Sequence, residues 1–118
     1  MMNTHAAEST PLLAQYVAAA EAYGVAVEAG DAERAHAAHA ALQAVFQTLD
    51  DLGQSQAVLS LLEDDRVTVR YCAAVDALSV VPERAESVLE AIANGSPSPM
   101  QVMALVSLGE WRKRRAHG

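Results

Sequence analysis

The sequence predicts an all-α fold, and three observations carry that expectation. The composition is 52% hydrophobic but only 4% aromatic and is rich in alanine. This mixture suits close-packed helices better than sheets, which favour β-branched and aromatic residues. Apolar residues return every three or four positions along most of the chain, between residues that start or stop helices. The stretch from Val67 to Val81 has only Arg70, Asp76 and Ser79 as strongly polar members, and a helix apolar almost all round belongs inside a bundle. Ala73, Ala74 and Ala77 would let neighbours approach it, while Val69, Leu78 and Val80 would fill the gaps.

Each element has its own justification. Thr10 followed by Pro11 reads as a cap and first helical position, and Leu13, Tyr16, Val17, Ala20, Gly24 and Val27 then share a face until Gly30. Gly24 inside that helix costs about 1 kcal/mol relative to alanine, so it marks a bend or lets another backbone come near, and close packing is the favoured reading. Asp31 caps a second helix with the stripe Ala35, Ala38, Leu42, Val45, Phe46 and Leu49, stopped by Gly53. The short connection makes the first two helices an antiparallel hairpin. A third helix over Gln54 to Glu63 carries Val58, Leu59, Leu61 and Leu62, and Asp64 and Asp65 cap the central one. Pro82 opens the next, with Ala85, Val88, Leu89 and Ile92 as its buried stripe. Ser98 caps the last, Pro99 to about Arg114. That helix has two apolar faces, one of Val102, Leu105, Val106 and Gly109, the other of Met100, Met103, Ala104, Leu108 and Trp111.

At 118 residues the chain fits one helical domain over residues 10–114. Residues 1–9 lack periodicity and are expected to be disordered, and 115–118 end a basic tail. No apolar run nears the roughly 20 residues of a membrane span, and the N-terminal residues lack the features of a signal peptide, so a cytoplasmic protein is expected. Net charge is −7, but four of the eight bases are Arg112, Lys113, Arg114 and Arg115, leaving residues 1–111 at −11. Such a body repels nucleic-acid phosphates and attracts basic protein surfaces.

The order of residues in LLEDDRVTVRYCAAVDALSVV, a leucine pair, an acidic turn, Val-Arg, Ala-Ala and Ala-Leu, resembles a HEAT repeat. The resemblance implies that Leu61 and Leu62 close a first helix, Asp64 caps a second, and Arg70 ties the turn to a neighbouring unit. Arg66 and Val67 depart from the pattern, which often has Asp or Asn and then Pro. Over Pro11 to Trp111 the chain resembles a small uncharacterised bacterial α-helical domain family with HEAT-like or armadillo-like repeats. The likeness implies about six helices stacked as hairpins in a short superhelix. It also implies a non-enzymatic role, since some such proteins act as immunity proteins beside toxins.

No ordering of Ser, His and Asp, phosphate-binding glycine loop or Cys pair occurs, so neither catalysis nor a cofactor is expected. His36 and His39 are spaced i, i+3, which is not the spacing of zinc helices, and no metal site is expected. Cys72, next to Tyr71, reads as a small core residue. Asp76, a carboxylate in the buried helix, needs a partner, and Arg84 or Arg112 could serve; both it and Arg70 read as structural. The functional lead is an acidic edge of Asp50, Asp51, Glu63, Asp64 and Asp65, with Arg66 beside it. A second candidate surface is formed by Met100, Met103 and Trp111. The expected role is a protein-binding module of immunity or antitoxin type that meets a basic partner; the alternative is a structural adaptor or self-associating homodimer.

Overall fold

A computed structural model describes the backbone of residues 4–117 and the side chains of residues 11–116. Among the described residues there are five α-helices, one 3₁₀ helix and no strand: α1 (Thr4–Glu28), α2 (Ala32–Asp51), the 3₁₀ helix (Ser55–Glu63), α3 (Val67–Ala77), α4 (Pro82–Ala93) and α5 (Pro99–His117). The fold is all-α, with each element close to where its periodicity put it.

Helix termini show why. Gly30 and Gly53 have φ of 68° and 71°, the left-handed region that glycine enters without a Cβ penalty. At α1 the Asp31 amide donates to the Ala26 carbonyl and Gly30 to Val27; at α2 Gln54 donates to Leu49 and Gly53 to Asp50. Both are Schellman ends, which use the last free carbonyls of the helix. The Asp31 carboxylate accepts from the Arg34 amide at 3.1 Å and the Ser98 hydroxyl from Gln101 at 3.1 Å, capping α2 and α5. Pro82 stands at the start of α4, where a missing N–H costs nothing.

Several details differ from the sequence expectation. Helix α1 begins at Thr4 and carries Pro11 inside it, so Thr10 is not its cap and the helix reaches into the stretch expected to be disordered. Ala6, Ala7 and Glu8 are strong helix formers and continue the helix past the missing proline donor. The third helix is wound as a 3₁₀ helix. Val58 and Leu61, three apart, align on one side at three residues per turn, and both are buried together with Leu62. Helix α3 ends at Ala77, where the Val80 and Val81 amides close a turn onto the Ala77 carbonyl, and Val80 is left exposed. Its N-cap is Arg66 with no side-chain cap, so Asp64 and Asp65 do not cap it as expected, and α5 runs past Arg114 to His117.

The core is organised around α3, which packs against α1, the 3₁₀ helix, α4 and α5. Val69, Ala73 and Ala74 have no exposed surface, and Tyr71, Cys72, Ala77 and Leu78 are buried. Helices α1 and α2 form the expected hairpin, and α4 packs on α5. Arg70 donates to the backbone carbonyls of Asp64 and Asp65 at 2.8 and 3.1 Å, so it fastens the turn that precedes its own helix.

Gly24 is buried where α1 meets α3. A Cβ there would lie 2.2 Å from Thr68 Cγ2 and 2.7 Å from Thr68 Cβ, closer than packed atoms allow. Gly24→Ala is therefore expected to destabilise the protein by about 2 kcal/mol, against the gain of about 1 kcal/mol that alanine brings to an open helix. Thr68→Gly, which removes both opposing atoms, should recover part of that loss in the double variant. Denaturant titration of the four proteins checks this; an additive double variant would contradict the close approach.

Candidate protein interface

The acids expected to form a binding edge are mostly engaged in local structure. Asp64 accepts from the Arg66 backbone amide at 2.9 Å and from its guanidinium at two positions, each 2.9 Å. Those bonds hold its carboxyl at about 2, well below the usual range. The same Arg66 reaches Glu21 on α1 at 2.9 Å, so it bridges the first helix to the turn before α3. Glu63 lies 3.7 Å from Arg84, and Asp51 accepts from Gln47. Asp50 and Asp65 are exposed. Charge reversal at Asp64 thus removes a turn lock, and Arg66 is committed to two carboxylates.

The placement on α5 is the reverse of the expected one. Met100, Ala104 and Leu108 are buried, and Met103 and Trp111 pack against the core. Trp111 Nε1 donates to Glu86 on α4 at 2.7 Å, and Arg115 reaches the same carboxylate at 3.2 Å while Arg112 pairs with Glu90 at 3.0 Å. Met100, Met103 and Trp111 are therefore inner-face residues, and much of the basic terminal turn is tied to α4. The face turned to solvent is Val102, Leu105 and Val106, at 53%, 50% and 49% exposure, with Gly109 open beside them. One signal in the sequence separates the two faces. The stripe Met100, Ala104, Leu108, Trp111 runs the whole helix, whereas Val102, Leu105, Val106, Gly109 gives way to Lys113 one turn later.

A trough also runs between the α1–α2 hairpin and the α3 and α5 side. Its middle is a cavity of about 240 Å³ lined by residues that include Tyr23, His39, Gln43, Tyr71, Asp76, Ser107 and Glu110. At one end a hollow of about 380 Å³ shares Tyr23, His39 and Met103 with it. At the other, one of about 220 Å³ shares Val75, Ser107 and Glu110 and reaches Trp111 and Arg114. His36 and His39 both lie on the first hollow, and no group of three potential metal ligands forms among the described residues. Burial pushes the Cys72 thiol up to about 12, so it is a poor thiolate at neutral pH.

Asp76 does not pair with an arginine. Tyr16, on α1, donates its hydroxyl to Asp76 Oδ2 at 2.5 Å, Gln43 adds a hydrogen bond, and His39 lies near. Arg84 and Arg112, the partners expected from sequence, pair with Glu63 and Glu90. Tyr16 sits sixty positions before Asp76, and a hydroxyl partner leaves no charge signature in sequence. The Tyr71 hydroxyl lies 2.7 Å from Ser107 Oγ, a link between α3 and α5 that sequence reasoning also missed.

Compared with protein-family models, characterised proteins and solved structures, the chain matches none. The molecule is a helical domain.

Burial raises the Asp76 carboxyl to about 6 from 3.8, outweighing the hydrogen bonds from Tyr16 and Gln43 and the nearby His39, all of which lower it. The folded protein thus holds this proton at pH values where the unfolded chain has lost it. Stability contributed below about pH 4 is lost as pH rises through about 6, on the order of 2 kcal/mol. Asp76→Asn, which retains an acceptor for Tyr16, should be more stable than the parent at about pH 8 and lack this decline. Thermal unfolding across pH checks it; parallel curves for the two proteins would refute it.

Proposed function

We propose that this protein is a non-catalytic protein-binding module that docks a helix of its partner on the outer face of α5. The exposed stripe of Val102, Leu105 and Val106 carries the reading. Their i, i+3, i+4 spacing makes one apolar strip, and such a strip on a soluble surface marks an interaction site. Gly109, with nothing within 4 Å of a built Cβ, lets a second backbone come near at the middle of the helix. Lys113, one turn beyond, has no acidic partner among the described residues and favours an acidic end on the docked helix.

A narrower form of the proposal makes the module an immunity or antitoxin protein. The charge of −11 over residues 1–111 supports it, because an acidic body is drawn to the basic surface of a toxin domain that acts on nucleic acid. The HEAT-like reading of the centre belongs here too. Its support is the buried pair Leu61 and Leu62, the Asp64 turn, and Arg70 fastening that turn. Self-association through the same stripe is the alternative, and Lys113 and Arg114 disfavour its parallel form, which would bring like charges together.

Leu105→Asp with Val106→Asp should leave thermal stability within about 0.5 kcal/mol, since both residues face solvent. In affinity capture from the native host, that variant should lose a partner that both the parent and Val25→Asp retain; Val25 is exposed at 71% on another helix. Identical captured sets for all three baits would refute the α5 interface. Loss of a dimer in sedimentation, with no heterologous partner, would replace it with the self-associating scaffold.

A further inference from the structure

The cavity between the helical hairpin and α3 and α5 has a chemical character that the outer interface does not use. Four helices contribute to it: α1 with Tyr23, α2 with His39, α3 with Tyr71 and Asp76, and α5 with Met103 and Glu110. Two carboxylates stand among these residues and no lysine or arginine does. Asp76 is half-buried in the wall, and Glu110 is exposed at the rim. Around Asp76, the hydrogen-bond donors are neutral ones, the Tyr16 hydroxyl and the Gln43 amide. His39 is the one ionisable base in the lining near Asp76, and the carboxylate, half-buried with no lysine or arginine facing it, has room for a cation as its direct ion partner.

The rest of the lining fits an alkyl chain behind that cation. Leu42, Val75 and Met103 supply apolar wall, and the rings of Tyr23 and Tyr71, parallel within 3° at 6.2 Å, supply aromatic surface to which an ammonium is attracted. The volume, about 240 Å³, falls below the range of drug-sized ligands and suits a short unbranched chain. Hollows at both ends leave the chain free to continue.

We infer that this cavity is a binding site for a primary alkylammonium group, with the Asp76 carboxylate as its ion partner and Glu110 as the partner of a second ammonium on a longer ligand. The group can come from a free linear amine or diamine, or from a lysine side chain of a peptide. The ligand docks with its chain against Leu42, Val75 and Met103 and one ammonium at Asp76. Glu110 then distinguishes a diamine from a monoamine. This inference stands apart from the α5 interface, because none of Val102, Leu105 or Val106 lines the cavity.

Calorimetric titration of the intact protein with butylamine, with 1,4-diaminobutane, and with a short lysine-containing peptide tests it, with 1,4-butanediol as the uncharged control. The amines should bind and the diol should not. Asp76→Asn should weaken both amines about tenfold or more, a loss of about 1.4 kcal/mol per factor of ten. Glu110→Gln should weaken the diamine severalfold and leave butylamine unchanged. Backbone amide shifts of the bound protein should cluster at residues 39, 71, 76 and 107, and circular dichroism of the two variants reports whether they remain folded. Tighter binding of the peptide than of the free amines assigns the site to a protein segment, and the reverse assigns it to a small metabolite. Absence of binding by every amine, equal affinity for folded Asp76→Asn, or shifts spread over the acidic surface would overturn the assignment.

Discussion

The structure depends on enclosing α3 from four sides with side chains small enough to let its neighbours close in. Val69, Ala73 and Ala74 have no exposed surface, and Gly24 brings α1 against Thr68 at a distance that even one methyl group would prevent. An alanine-lined strut buries little area per residue, so its stability comes from how many neighbours touch it and how near they lie. The 3₁₀ helix, α4, α1 and α5 all meet on it, which makes the fold one packing problem and not a row of independent hairpins.

That enclosure explains the polar features. A helix packed on several sides has to find partners for the polar residues it carries, and Asp76, half-buried, is the acidic one. Its bond from Tyr16 joins α1 to α3 and fixes their register, while the space left beside it becomes the cavity under α2 and α5. The same demand turns the continuous apolar stripe of α5 inward, through Met100, Ala104 and Leu108, and leaves the shorter stripe of Val102, Leu105 and Val106 in solvent. The acids at the turn before α3 serve the enclosure as well, with Asp64, Arg66 and Glu21 locking the turn to α1. An exposed ion pair of this kind contributes little by itself, so its role is geometric.

Much of the fold was legible in sequence because helix ends are written locally. Gly30, Gly53, Asp31, Pro82 and Ser98 act within a few residues of themselves, and each sits where its chemistry requires. The central position of the stretch from Val67 to Val81 was legible too, apart from its last turn, since a run without a polar face leaves few alternatives. What was hidden depends on partners far along the chain. The hydroxyl that meets Asp76 comes from another helix, and charge alone pointed to arginines that are occupied elsewhere. The two apolar faces on α5 differ in sequence only in stripe length, a faint signal beside the covering of one of them by α1, α3 and α4, and the cavity has no local signature because four helices line it. The winding of the 3₁₀ helix is a tertiary effect: its apolar spacing permits both helix types, and packing against α3 selects the tighter one.

Native-state hydrogen exchange tests the enclosure of α3 most directly. The amides of Tyr71 to Ala77 should exchange only through global unfolding, with a free energy equal to that from denaturant titration and above the values for the outer turns of α2 and α5. Exchange of the α3 amides through a smaller opening, at a lower free energy than those of α2 or α5, would contradict a fold built around this helix.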